Sequence, residues 1–408
     1  MKFIADLHIH SRFSLATSSQ LTPEMLDLWG RKKGLTVIGT GDAVHPVWLD
    51  ELKEKLTPAE NGLFRLKKNL VHTEAAKFGK PVHFMLCSEI SCIYKKNNRV
   101  RKVHNLVYAP SFSAMVKIQK TLSSIGNIGS DGRPILGLDS RDLLEIVLNA
   151  DPQAVLIPAH IWTPWFSVLG SKSGFDSIEQ CYGDLSEHIF AVETGLSSDP
   201  AMNRQCKILN RYALVSNSDA HSPENLGREA NLFDTELSYS SIMDALKSKD
   251  KRFIGTVEYF PEEGKYHLDG HRKCEVCWEP HQTRKHKEIC PVCGKKVTVG
   301  VLNRVAELAE NSPGNRSSQT QIWHSVTPLK NILSEILQVG VNSKKVSQFY
   351  EDLLHKCGSE FNILLEIPID DLRKSDRKVA DGIERLRSGK VTIKSGYDGV
   401  FGSIKVFG

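Results

Sequence analysis

Asp6, His8 and His10 alternate in the segment DLHIH at the end of an apolar run. Side chains two apart on a strand share one face, so the alternation predicts all three on the same side. A carboxylate and two neutral imidazoles together form a donor set suited to a divalent metal such as zinc. Taken alone, the two histidines fit a hydrogen-bonded structural role equally well. Further residues of the same chemistry punctuate the apolar runs that follow. Asp42 comes after LTVIGTG, Glu89 after HFMLCS, His104 opens HNLVYA, and His160 follows AVLIPA. Glu193 lies in IFAVET, and Asp219 and His221 follow ALVSNS.

Short apolar runs alternating with amphipathic stretches predict repeated βα units from the N-terminus to residue 256. The first is legible in detail: KFIADL as strand, Thr22 as cap, Pro23 and Glu24 opening a helix, and Gly34 ending it. Further helices are expected in LFRLKKNLVHTEAAKFG, SRDLLEIVLNA and PAMNRQCKILN. A closed or nearly closed α/β barrel gathers its C-terminal strand ends on one rim, which would collect most of these residues. So many carboxylates and imidazoles on one rim are held together most simply by two or three cations. Asp219, beside His221 in SDAH, is then the candidate to orient or deprotonate a water; a plain ligand role fits it equally well.

In this order DLHIHS, the Gly41-Asp42 pair, SEI, HNLVYA, PAH and SDAH resemble the motif series of the polymerase and histidinol phosphatase (PHP) family over residues 1–256. The resemblance implies a distorted (β/α)7 barrel hydrolysing phosphate esters at a trinuclear metal site. It implies His8, His10, Asp42, Glu89, His104, His160, Asp219 and His221 as ligands, with Asp6 and Glu193 touching the ions or supporting residues that do. Zn2+, Mg2+ or Mn2+ would fill the site. One departure is Ala43, where the family often has histidine after the aspartate; His45 is left outside the set.

Residues 257–298 form a second unit. Cys274-x2-Cys277 and Cys290-x2-Cys293, twelve residues apart, have the spacing of a closed structural zinc site made of four thiolates. Lysines, arginines and histidines crowd around it, which suits a nucleic-acid contact or a solvated basic knuckle packed against the barrel. Residues 299–408 form a C-terminal, mainly helical, DNA-binding region. Helices are expected in VLNRVAELAE, IWHSVTPLKNILSEILQ and KKVSQFYEDLLHK, a loop at 311–321, and two short strands around Asp398-Gly399. Lys394 and Arg387 extend the basic surface, and Trp162, Trp165 and Phe166 are candidates for the wall of a substrate pocket.

The chain has 408 residues, 25% charged and 40% hydrophobic, with a net charge of +5, and so suits an ordinary globular enzyme with a polyanionic partner. No apolar run is long enough for a membrane span and the N-terminus is unlike a signal peptide, so a cytoplasmic protein, nucleoid-associated while acting, is expected. The other five cysteines are expected as buried thiols.

Barrel, ribbon and tail together resemble a PHP branch of lesion-specific repair endonucleases, through DLHIHSRFSLATS, TGDAVHP, PAHIWTPWFS, ETGLSSD and SNSDAHSPENLGRE. That resemblance implies cleavage 5′ of deaminated bases (uracil, hypoxanthine, xanthine) and of abasic sites in DNA. The alternatives are a small-molecule phosphoesterase, which has no use for the ribbon and tail, and a metal-free nucleic-acid-binding module. No docking motif for a replication or repair factor is recognisable.

Overall fold

The computed structural model describes residues 1–310 and 321–408. Of the loop expected at 311–321, residues 311–320 lie outside the described residues. The sheet is built from β1 (Lys2–Asp6), β2 (Val37–Gly39), β3 (His83–Lys96), β4 (Arg99–Ala109) and β5 (Val155–Pro158). Strands β6 (Ala191–Glu193) and β7 (Ala213–Val215) pair with each other in parallel; β8 (Ala230–Asp234), β9 (Phe253–Tyr259) and β10 (Ile322–Val326) extend the β1 edge in the order β10-β9-β8-β1. Pairing runs from β1 through β2, β3 and β4 to β5. Two single joints bring β6 and β7 into the circuit. Ile161 N donates to Glu193 O at 3.0 Å, and Ile9 bridges Ala220 in parallel. Phe3, Ala5 and Leu7 pack with Met85, Tyr108, Ile157 and Val215 from the other strands in one core, which helix Tyr239–Ser248 also joins. A second core lies between the sheet and helices such as Phe112–Ile125 and Ser140–Ala150.

Helix α1 (Pro23–Lys33) follows its sequence signals: Thr22 accepts from Met25 N, and Gly34 takes φ 91° as its end. Four segments depart from expectation; PAMNRQCKILN gives only a short helix, Pro200–Asn203, and a 3-10 turn, Lys207–Leu209. Strands β3 and β4 form one long antiparallel hairpin turned by Asn97 and Asn98, both at positive φ, a two-residue turn in place of a helical crossover. Residues 63–79, expected as a helix, instead give strand Phe64–Leu66 and two short 3-10 turns. IWHSV, expected to open a helix, is strand β10, paired in parallel with β9. Gly255 permits that pairing, since a Cβ there would lie 1.8 Å from Ile322 O. The two strands expected around Asp398-Gly399 are Thr392–Lys394 and Ser403–Lys405, paired antiparallel. No helix among the described residues is long and apolar enough to cross a membrane.

Candidate active site

Among the described residues, two groups of ligand atoms gather at the mouth of the strand ring, each within 4.8 Å: His8, His10, Glu89 and Asp219, and Glu89, His104 and His160. Glu89 belongs to both. Its Oε1 lies 2.6 Å from His104 Nδ1 and 3.1 Å from His160 Nε2. Its Oε2 lies 3.2 Å from His10 Nε2 and 3.6 Å from His8 Nε2. Asp219 Oδ1 approaches His10 Nε2 at 3.0 Å and His8 Nε2 at 3.5 Å. His104 reaches this mouth because β4 runs antiparallel to β3, so the early half of its strand faces the site.

The other expected residues surround these groups. Glu193 accepts from His8 Nδ1 at 3.0 Å and from the His160 backbone N–H at 2.8 Å, fixing both. Asp42 faces His10 Nδ1 at 3.1 Å and is otherwise occupied by Ser11 N and the hydroxyls of Ser11 and Ser14. The His221 ring lies tilted, 4.6 Å from the His10 ring, and its Nδ1 faces the Asp219 carbonyl. Neither Asp42 nor His221 joins either group. Asp6 joins neither group: its carboxylate accepts from Ser218 N and Gly227 N. Burial pushes its carboxyl up to about 6. His45 caps the next helix and contacts Gly129 O, far from a ligand role.

The donor set fits cations. His8 Nε2 is buried without a hydrogen-bond partner between two carboxylates. Burial opposes charge on His8 and His10, yet the carboxylates outweigh it and raise both pKa values well above the ordinary one. Burial likewise opposes charge on Glu89, but His104 and His8 hold it well below the usual range. A cation bound among these carboxylates would take the place of the protons on His8 and His10, since histidine ligates metal as the neutral base. Asp42, His160 and Asp219 adopt positive φ (49°, 29° and 47°), a conformation uncommon for residues with side chains. Gly195 packs against His160, where a Cβ would lie 2.5 Å from the histidine's own.

Behind Glu193 lie two further acids that are fully buried. Glu258 accepts from Thr194 Oγ1 at 3.2 Å and Ser216 Oγ at 3.1 Å, and Glu229 accepts from Tyr259 N at 3.2 Å. Burial pushes Glu258 up to about 8 and, with the nearby Glu258, raises Glu229 well above its ordinary value. An acid whose folded pKa is raised contributes stability below its unfolded pKa, and this is lost as pH rises towards the folded value. Glu258→Gln, which stays neutral, should therefore raise the urea midpoint relative to wild type at pH 9 and change it little at pH 5. Equal shifts at both pH values would show that Glu258 is charged in the fold.

Sequence reading missed two arginines for want of a motif. Arg133 Nη1 lies 3.3 Å from Glu89 Oε2 at the open side of the site. Arg228 holds the carbonyls of Ser218 and Asp219. Beside the rim is a cavity of about 270 Å³, lined by His160, Glu193 and Asp219, by Pro164 and Ser197, by Lys265, Tyr266 and His267, and by Phe401. His267 Nδ1 is buried there without a partner. Trp165 is exposed and edge-on to Tyr266, whereas Trp162 is core, donating to Asn203. Phe166 packs its ring, tilted, against His104. Arg387 is not free surface: it caps the carbonyls of Ile363, Leu364 and Ile367. Lys394 remains exposed.

The cysteine site differs from expectation. Cys274, Cys290 and Cys293 meet, but the fourth member is His271; Cys277 stays outside. In strand Val276–Trp278 the flanking side chains are buried against Cys290 and Val297, so alternation turns Cys277 to solvent.

Residues 328–390 match the MJ0043 C-terminal domain family. The uncharacterized protein MJ0043 of Methanocaldococcus jannaschii is 33% identical over 251 residues, 60% of this chain and 31% of that protein, so the chain spans under a third of it. The uncharacterized protein YqxK of Bacillus subtilis is 30% identical over 428 residues, covering 99% of each. The lesion-specific endonuclease PfuEndoQ from Pyrococcus furiosus superposes with a TM-score of 0.86 at 30% identity, over 99% of this chain and 95% of that one. The chain belongs to the endonuclease Q family. A second endonuclease Q structure, complexed with a 27-mer duplex carrying an abasic lesion at its active site, superposes at a TM-score of 0.84 with 30% identity, covering 99% and 96%. The endonuclease Q likeness thus takes in the ribbon and tail as well as the strand ring.

Proposed function

We propose that this chain is a lesion-specific DNA-repair endonuclease that hydrolyses the phosphodiester 5′ of uracil, hypoxanthine or xanthine, and of abasic sites. The observation that carries the reading is Glu89 shared by two ligand groups at a mouth that opens beside a cavity built from all three parts of the chain. His8, His10, Glu89, His104, His160 and Asp219 would hold two or three divalent ions, Zn2+, Mg2+ or Mn2+, with Asp42 and His221 against them. Bound there, such ions supply an acidified water and neutralise charge on phosphate oxygens.

The chain's own groups do the rest. Asp219, 26% exposed where the other carboxylates are buried, is placed to orient a water and accept its proton. Arg133, on the open side, offers a cation to a phosphate oxygen. Glu193 keeps His8 and the His160 backbone in register. The cavity beside the rim receives the damaged nucleotide, whose weakened pairing lowers the cost of extrusion. Residues 1–256 serve as the catalytic unit. Residues 257–298, with Arg272, Lys273, Lys285 and Lys295 exposed, and residues 299–408 grip the duplex, while the protein acts at the nucleoid in the cytoplasm.

The test is end-labelled duplex DNA with one deaminated base, incubated with divalent metal and either wild type or Asp219→Ala. One lesion-dependent nick is expected from wild type and none from the variant. Equal cutting of undamaged DNA would remove the repair assignment.

A further inference from the structure

The ribbon is built from two knuckles with one design. In the first, strand Asp269–His271 leads into a turn, Cys274 ends it, and Glu275 takes φ 55° before strand Val276–Trp278 returns antiparallel. In the second, Cys290 opens the turn, Cys293 ends it, and Gly294 takes φ 68° before Ile289 and Lys296 close an antiparallel bridge. Each is therefore a ligand, two residues, a ligand and a left-handed residue. The second uses glycine, which adopts that conformation freely. The first forces glutamate into it, a cost tolerated where the surrounding structure over-determines the turn.

This register makes His271, not Cys277, the counterpart of Cys290. His271 Nδ1 lies 3.6 Å from Cys293 Sγ. Cys277 is paired across the hairpin with Gly270, on the solvent face of its strand. A nearby imidazole, His286, is taken up by stacking on Trp278 at 4.6 Å. We infer that the ribbon ion is held by His271, Cys274, Cys290 and Cys293, and that Cys277 is an unligated surface thiol. Three thiolates and a neutral imidazole leave a zinc site with one net negative charge, where four thiolates would leave two. Among the exposed lysines of this ribbon the smaller charge suits a surface facing a polyanion.

The full-length protein loaded with 113Cd tests this by NMR, because the ribbon resonance of a thiolate-rich site lies well apart from those of ions held by nitrogen and oxygen alone. Wild type is expected at the position of three sulfurs and one nitrogen. His271→Cys should move the resonance to the four-sulfur position, and Cys277→Ser should leave it in place. Native maleimide labelling should modify Cys277 without loss of that resonance. A wild-type signal already at the four-sulfur position, or its loss or movement in Cys277→Ser, would overturn the assignment.

Discussion

Glu89→Gln should lower single-turnover nicking of a uracil-containing duplex by on the order of 10³-fold, about 4 kcal/mol of transition-state stabilisation. Glu89 is fully buried and is the one carboxylate common to both ligand groups. One oxygen serves His104 and His160, the other His10, His8 and Arg133. Glutamine keeps the shape but replaces an anionic oxygen with an N–H donor facing nitrogens, and removes the charge that two neighbouring cations would share. The loss should appear in the chemical step, with duplex binding nearly unchanged, because Glu89 lies beneath the surface that meets DNA. A variant within tenfold of wild type would mean that the two groups do not work through a common anion.

Glu360→Ala should cost about 3–5 kcal/mol of folding stability, the penalty for stranding one half of a buried ion pair. Lys33, in the last turn of α1, reaches Glu360 Oε2 at 2.7 Å with both side chains nearly buried. The same carboxylate accepts from Tyr350 Oη at 2.7 Å and Leu329 N at 3.0 Å. Truncation therefore leaves an ammonium, a phenol and a backbone N–H without partners at the junction of tail and catalytic unit. The double change Lys33→Met with Glu360→Leu should recover most of the loss, since a packed apolar pair replaces a buried ion pair at little cost. Urea denaturation of wild type, the single variant and the double variant measures both effects; a loss below about 1 kcal/mol in the single variant would show the junction to be solvated.

The site was legible where chemistry sits at the end of an apolar run. His8, His10, Glu89, His160 and Asp219 each follow one, and a strand end is where a ring of strands gathers its side chains. Asp42 and His221 adjoin the gathered residues through His10, and their residue types carry no mark that separates them from the rest. The β3–β4 hairpin had its signal in Asn97-Asn98, but a basic run between apolar segments also suits a helix. Strand β10 was hidden because its partner β9 lies more than sixty residues earlier in the chain, and such pairing overrides local propensity. In the ribbon, His271-x2-Cys274 has the same spacing as Cys-x2-Cys, which counting cysteines alone passes over.

The central claim is that imidazoles and carboxylates from separate strands hold cations over which one phosphodiester is cut. Anomalous diffraction from crystals soaked in Mn2+ measures it most directly. The account predicts scattering peaks on both sides of Glu89, one towards His8, His10 and Asp219 and one towards His104 and His160, each weakened in Glu89→Gln. Crystals without either peak, from protein that still nicks lesion DNA after exhaustive chelation, would contradict it.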